Sequence, residues 1–200
     1  HQRKGKKILI YFFLLFLVGS INNIGLNNIK LKPINDINIT GLEENDNLNL
    51  LNKINSLNLN NIFLINKKKV INKIDSNSLV EKYFIFKKYP SSINIDIEKT
   101  KFLARINDNG KIFLVGSNGK LTKNNFLNNQ LPFIFGTPNI DEFLKFKKII
   151  EQSKISYDLI KNLYFFSSRR WDIELKNNVI IKLPQNNTSE SLKLAIEFLH

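Results

Sequence analysis

The side chains best suited to nucleophilic and metal chemistry are nearly missing from this chain. It holds no cysteine, and its two histidines, His1 and His200, stand at the two ends of the sequence. Without an internal histidine or any thiol, Ser-His and Cys-His pairs and His- or Cys-ligated zinc have no donors here. Carboxylates, tyrosine and lysine remain for acid–base work. Asp172 and Glu174 are the best-placed carboxylates, and they alternate with Trp171, Ile173 and Leu175. That period-2 pattern describes a strand with one apolar face, which puts both acids on the solvent side. A carboxylate enzyme would need a deep pocket holding two such groups about 5 to 9 Å apart. Gly110, Gly116 and Gly119 fit turns and match no phosphate-binding loop. We therefore assign no catalytic, cofactor-binding or metal-ligating residue. A membrane-anchored or secreted periplasmic enzyme is kept as the competing class.

The elements around these residues begin with one uninterrupted apolar run. It comprises Ile8, Leu9, Ile10, Tyr11, Phe12, Phe13, Leu14, Leu15, Phe16, Leu17 and Val18, preceded by Arg3, Lys4, Lys6 and Lys7. A basic flank before a lipid-compatible helix predicts a cytoplasmic N-terminus and a single crossing. The kernel covers roughly 16 Å against a hydrocarbon core of about 30 Å, so the expected anchor extends through residue 24. A cleaved signal peptide is the rival reading, but Val18 and Ser20 match the small-residue cleavage pattern weakly. The first residue is His rather than Met, so a longer cytoplasmic tail is expected. No second apolar run of spanning length follows.

The formal charge is +13. A nucleic-acid role is not expected, because the lysines are scattered and Lys, Asn and Ile dominate throughout, as an AT-rich genome produces. Solvated surface, or an anionic surface such as lipid headgroups, accounts for the charge better. No small-molecule substrate is expected.

Beyond the anchor, Ile37 and Ile39 alternate with polar residues up to Gly41, the pattern of a strand. Leu50, Leu51, Ile54 and Leu57 recur at helical spacing, and Val70, Ile71 and Ile74 suggest a second helix. Val80 to Phe86 reads as a strand, Tyr89-Pro90 as a turn, and Ile93, Ile95 and Ile97 as the cleanest strand in the chain. The order is β-α-α-β-β, a compact α+β module, with Phe63, Phe84 and Phe86 expected in its core. The next part is strand-rich. Asn107 to Gly110 marks a hairpin, and Leu131-Pro132 and Gly136-Thr137-Pro138 bracket a loop. Asn139 with Glu142 can cap a helix carrying Phe143, Phe146, Ile149 and Ile150. A last helix follows Thr188 or Asn187, with Leu192, Ala195, Ile196 and Leu199 on its apolar face.

Side-chain faces decide the turn around Asn177-Asn178. A two-residue loop would set Ile173 opposite Lys182 and mix the faces. A three-residue loop of Lys176, Asn177 and Asn178 sets Leu175 against Val179, Ile173 against Ile181 and Trp171 against Leu183, with Asp172 facing Lys182. The three-residue loop is predicted, with Asn178 left-handed. Trp171 is weighted toward packing, and Arg169 and Arg170 toward a solvated strand end. Those three residues are nonetheless the candidate partner contacts.

Four patterns, in order, resemble the FtsQ/DivIB family of bacterial cell-division proteins: Asn61 to Asn66; Tyr89-Pro90 with Ile93 and Ile95; Leu131-Pro132 with Gly136; and Arg169 to Leu175 with the strand after Asn178. The resemblance implies an N-terminal transmembrane helix, a small β-α-α-β-β POTRA-like domain and a mostly antiparallel β domain with flanking helices. The expected boundaries are a basic flank at 1–7, anchor at 8–24, spacer at 25–33, POTRA-like domain at 34–99 and β domain at 100–200. It further implies a non-catalytic divisome scaffold in the inner membrane at the septum, its bulk periplasmic, with FtsB and FtsL as partners. Asn178 and Pro184 stand where relatives usually have Gly. In the family, one more strand follows the last helix and forms the edge to which FtsB adds a strand. That strand is expected beyond His200.

Overall fold

The computed structural model describes residues 2–21, 33–123 and 130–199. Helix α1 (Gln2–Ile21) carries the apolar kernel, and the side chains from Ile8 to Val18 are 37% to 73% exposed. Among the described residues, no helix is long and apolar enough to cross a membrane. The physical reason is that Lys4, Lys6 and Lys7 take up the first two turns and leave a short kernel. Residues 22–24 of the expected anchor, and nearly all of the spacer, lie outside the described residues.

The small module follows the expected order: β1 (Asp36–Thr40), α2 (Glu44–Asn55), α3 (Lys67–Asp75), β2 (Val80–Lys88) and β3 (Ser92–Lys99). Its sheet runs β1-β3-β2, with β1 parallel and β2 antiparallel to β3. Ile93, Ile95 and Ile97 point from β3 into a core shared with Ile39, Leu50, Ile54, Ile62, Val70 and Ile74. Gly41 closes the corner between β1 and α2 at φ 103, where an added Cβ would lie 1.8 Å from the Ile97 carbonyl oxygen. Asn47 braces that corner, accepting from Leu42 N and donating to Leu42 O.

The three phenylalanines expected in this core lie outside it. Phe63, Phe84 and Phe86 are 59%, 59% and 50% exposed. On β2 the partner strand decides the matter. Tyr83 and Ile85 stand opposite Ile97 and Ile95 on the helix-covered face, so Phe84 and Phe86 fall opposite Asp96 and Asn94 on the other. At Phe63 the cause is a tight turn. The buried Asn61 side chain accepts from the amides of Phe63 (3.0 Å) and Leu64 (2.8 Å), turning Ile62 inward and its two successors outward.

The second module is a seven-stranded sheet in the order β10-β9-β8-β7-β4-β5-β6. Its elements are β4 (Phe102–Asp108), β5 (Lys111–Gly116), β6 (Leu121–Lys123), β7 (Phe133–Phe135), α4 (Ile140–Gln152), a 3-10 turn (Tyr157–Leu159), β8 (Ile160–Phe165), β9 (Trp171–Leu175), β10 (Ile180–Lys182) and α5 (Thr188–Leu199). Neighbouring strands are antiparallel except β4–β7 and β7–β8. The segment expected to be a loop after Pro132 is the strand β7, wedged between β4 and β8. Ile134 in it is 1% exposed, so long-range pairing overrides the flanking Pro and Gly signals. Helices α4 and α5 cover one face of the sheet, and a capping box between Asn139 and Glu142 starts α4. Leu192 and Ile196 of α5 are buried, whereas Leu199, expected on the same face, is 48% exposed.

A polar seam joins the modules. The Glu81 carboxylate accepts from Ser117 Oγ (2.7 Å) and Thr100 Oγ1 (3.0 Å). Asn118 reaches across to donate to the carbonyls of Ser78 (2.9 Å) and Val80 (2.8 Å), and its Oδ1 accepts from Lys120 N (3.0 Å). Lys120 in turn places its ammonium on the Asp75 carbonyl at the C-terminus of α3, where a cation is favoured. The Ser117-Asn118-Gly119 turn thus clamps the neighbouring module, a role its local sequence does not advertise.

Candidate binding surface of the strand-rich module

The β9–β10 hairpin has the register that the side-chain faces require. Ile173 pairs with Ile181 and Asp172 with Lys182. Leu175 N donates to Val179 O (2.9 Å) and Leu183 N to Trp171 O (3.2 Å). Lys176, Asn177 and Asn178 form the loop, with Asn178 at φ 66. Strand β10 is an edge of the sheet, pairing with β9 alone among the described residues, and Ile180 on it is 53% exposed.

The three candidate contact residues separate. Trp171 is 6% exposed, its ring stacked on Phe146 at 4.6 Å and tilted against Phe165 and Phe143. Arg169 takes φ 61 in the turn before β9 and reaches Glu142 at 2.9 Å, with its side chain 69% exposed. Arg170 lies over the Phe166 ring at 4.5 Å and grips Asp172. Its Nη2 donates to Asp172 Oδ2 at 3.3 Å, while Nε and Oδ1 face each other at 3.2 Å off the hydrogen-bond line, so the second contact is mainly Coulombic. Asp172, expected in solvent, is therefore a buried residue at 4% exposure. The alternation put it on the correct side of the strand, but the Arg170 side chain folds over it. Tyr164 and Lys182 flank it on the neighbouring strands.

The face of the sheet opposite α4 and α5 carries a row that the sequence did not reveal. Phe135 stacks on Tyr164 at 5.0 Å, Phe133 leans on Phe135 at 4.8 Å, and the Arg105 guanidinium sits 5.7 Å from the Phe133 ring. Glu174 collects the Tyr164 hydroxyl (2.5 Å), Asn162 Nδ2 (2.9 Å) and Lys161 Nζ (2.9 Å). These donors, the tyrosine hydroxyl first, lower the Glu174 carboxyl from 4.5 to about 2, and the same hydrogen bond raises Tyr164. A general acid needs a raised carboxyl, so Glu174 is tuned in the opposite direction. Among the described residues, no group of three metal-ligating side chains comes together. The missed row spans β7, β8 and β9. Two of those strands lie in sequence that assigned no strand, which hid their cross-strand neighbours.

The Glu174 network sets an acid response. Because the folded carboxyl lies below its unfolded value, its stabilisation is present above about pH 4.5 and is lost as pH falls toward about 2. Wild type should lose denaturant resistance across that window more steeply than Glu174→Gln, which has no proton to take up. Parallel acid slopes for the two proteins in urea-midpoint measurements would refute the assignment.

Residues 32–99 match the model described as POTRA domain, FtsQ-type, and residues 104–200 match cell division protein FtsQ/DivIB, C-terminal. The cell division protein FtsQ of Rickettsia bellii (strain RML369-C) is 24% identical over 172 residues, covering 80% of this chain and 60% of its own. That of Rickettsia prowazekii (strain Madrid E) is 25% identical over 164 residues, with the same coverage. The chain thus spans about 60% of the length of these curated relatives. A solved structure, the major extracytoplasmic domain of the trans isomer of the bacterial cell division protein DivIB from Geobacillus stearothermophilus, aligns with TM-score 0.36 and 13% identity. The alignment covers 46% of this chain and 85% of that one.

Proposed function

The chain belongs to the FtsQ/DivIB family of cell division proteins, and on that premise we propose that it acts as a non-catalytic scaffold of the divisome. It joins early and late septation proteins by protein–protein contact, with FtsB and FtsL as the partners that family membership suggests. The observation that carries this reading is the edge strand β10. Among the described residues it pairs with β9 alone and carries an exposed Ile180, so it is the side of the sheet to which the further strand expected beyond His200, and through it a partner strand, would add. An edge recognises another strand through its backbone and needs no reactive side chain.

We place residues 8–24 in the inner membrane as a single anchor with a cytoplasmic N-terminus, residues 34–99 as the POTRA-like domain and residues 100–200 as the β domain, both periplasmic. Support for the anchor comes from the kernel itself. Eleven apolar side chains stand out on every side of α1, and such a surface requires lipid or a partner. The basic flank gives the orientation. A fluorescent fusion should concentrate at the division site, and depletion should yield undivided filaments. Even envelope fluorescence together with normal division after depletion would overturn the proposal.

A further inference from the structure

The small module has two distinct ends. Its parallel strands β1 and β3 both run from one end, where Asn35 N donates to Ser91 O (3.0 Å), to the other, where Lys99 leads into the seam. The chain arriving from α1 therefore enters at the first end, and the strand-rich module hangs from the second. Three large apolar side chains stand bare at the entry end: Phe63, Leu64 and Tyr89, at 59%, 76% and 62% exposure. They are held rigidly. The Asn61 side chain pins the Phe63–Leu64 turn, Lys87 Nζ donates to Ile62 O (2.6 Å) and ties that turn to β2, and the Phe63 and Tyr89 rings meet at 5.2 Å.

The charges at this end break a local rule. Lys67, Lys68 and Lys69 fill the first turn of α3 with no acid among them, although the positive end of a helix dipole disfavours cations. All three are exposed, as is Lys88 beside Tyr89. Such a violation is expected where an outside anion compensates it. Aromatic and leucine side chains framed by lysines make up the composition of a membrane interface. The separation suits that role, because the residues between Ile21 and Pro33 reach at most about 40 Å.

We propose that this end of the small module, with Phe63, Leu64 and Tyr89 at its tip and Lys67, Lys68, Lys69 and Lys88 around them, rests in the headgroup layer of an anionic bilayer. The inference depends on α1 being an anchor. A tip seated in this way fixes the tilt of the module and holds the strand-rich module away from the membrane.

The absence of cysteine makes the test clean. The full chain is placed in nanodiscs as three single-cysteine variants bearing an environment-sensitive dye: Leu64→Cys at the tip, Phe16→Cys in α1 and Asn186→Cys on the exposed turn before α5. Quencher-bearing lipids then report contact. With phosphatidylglycerol present, positions 64 and 16 should be quenched and 186 should not. Quenching at 64 should weaken in pure phosphatidylcholine and in a Lys67→Gln/Lys68→Gln/Lys69→Gln background. Quenching at 16 with none at 64 overturns the inference and leaves the anchor standing. No quenching at either position removes the anchor reading and the inference together. A blue-shifted but unquenched dye at 64 would mean a protein contact instead, and equal quenching at 64 whatever the lipid or lysine content would refute the anionic-lipid assignment.

Discussion

Trp171→Ala is expected to cost about 3 to 5 kcal/mol, the usual range for removing a buried tryptophan. The indole is enclosed by Phe143, Phe146 and Phe165, so its loss leaves a void between α4, β8 and β9 that three rings cannot jointly close. Against a total of about 5 to 15 kcal/mol for an ordinary domain, that is a large share. Urea denaturation followed by far-UV circular dichroism should show a lower midpoint with an unchanged slope. Arg169→Ala next to it should shift the midpoint little, since an exposed ion pair contributes about 1 kcal/mol or less. Equal shifts for the two variants would mean that Trp171 is not the centre of this core. Trp171 is also the single tryptophan, so in the wild type its fluorescence reports the strand-rich module alone.

The second large effect belongs to the seam. Asn118→Ala removes two bonds donated to the Ser78 and Val80 carbonyls and one accepted from Lys120 N. At about 1 kcal/mol per bond, the loss is about 2 to 4 kcal/mol once partly buried carbonyls are left without partners. For a chain of this size, that lowers the melting temperature by about 5 to 15 °C. The form of the transition should change as well. With the clamp intact, the modules are expected to melt together; without it, calorimetry should resolve two transitions. Asn77→Ala is the control, because the Asn77 side chain accepts from Leu79 N inside one module and does not cross the seam. A single sharp transition in Asn118→Ala would show that the other seam contacts, such as Glu81 with Ser117 and Lys120 with the Asp75 carbonyl, couple the modules without this side chain.

Local pattern carried the reading wherever a strand had one apolar face and a partner close in sequence. The β9–β10 register followed from keeping Trp171, Ile173 and Leu175 on one side, and Asn109-Gly110 announced the β4–β5 turn, where both residues take positive φ. It failed where position depends on distant neighbours. Phe84 and Phe86 have the composition of core residues, but the pairing of β2 with β3 turns them outward. β7 has three residues and no periodicity to read, and it exists because β4 and β8 leave a slot for it. Asp172 lay on the predicted side of its strand, but no spacing rule tells that Arg170 will close over it. Asn118 reads as an ordinary turn residue until the other module is beside it. At the N-terminus, apolar composition was clear, while the length of a crossing was not.

The parallel pairing of β1 with β3 also has a mechanical meaning. Traction between the segment preceding β1 and the strand-rich module would pull β1 backward from its first residue and β3 forward from its last. The five paired positions from Asp36–Ser92 to Thr40–Asp96 would then carry the load side by side. Strands pulled lengthwise past one another must break their bonds together, whereas a hairpin pulled from its open end yields one bond at a time. The small module is thus built to resist such traction as a stiff link.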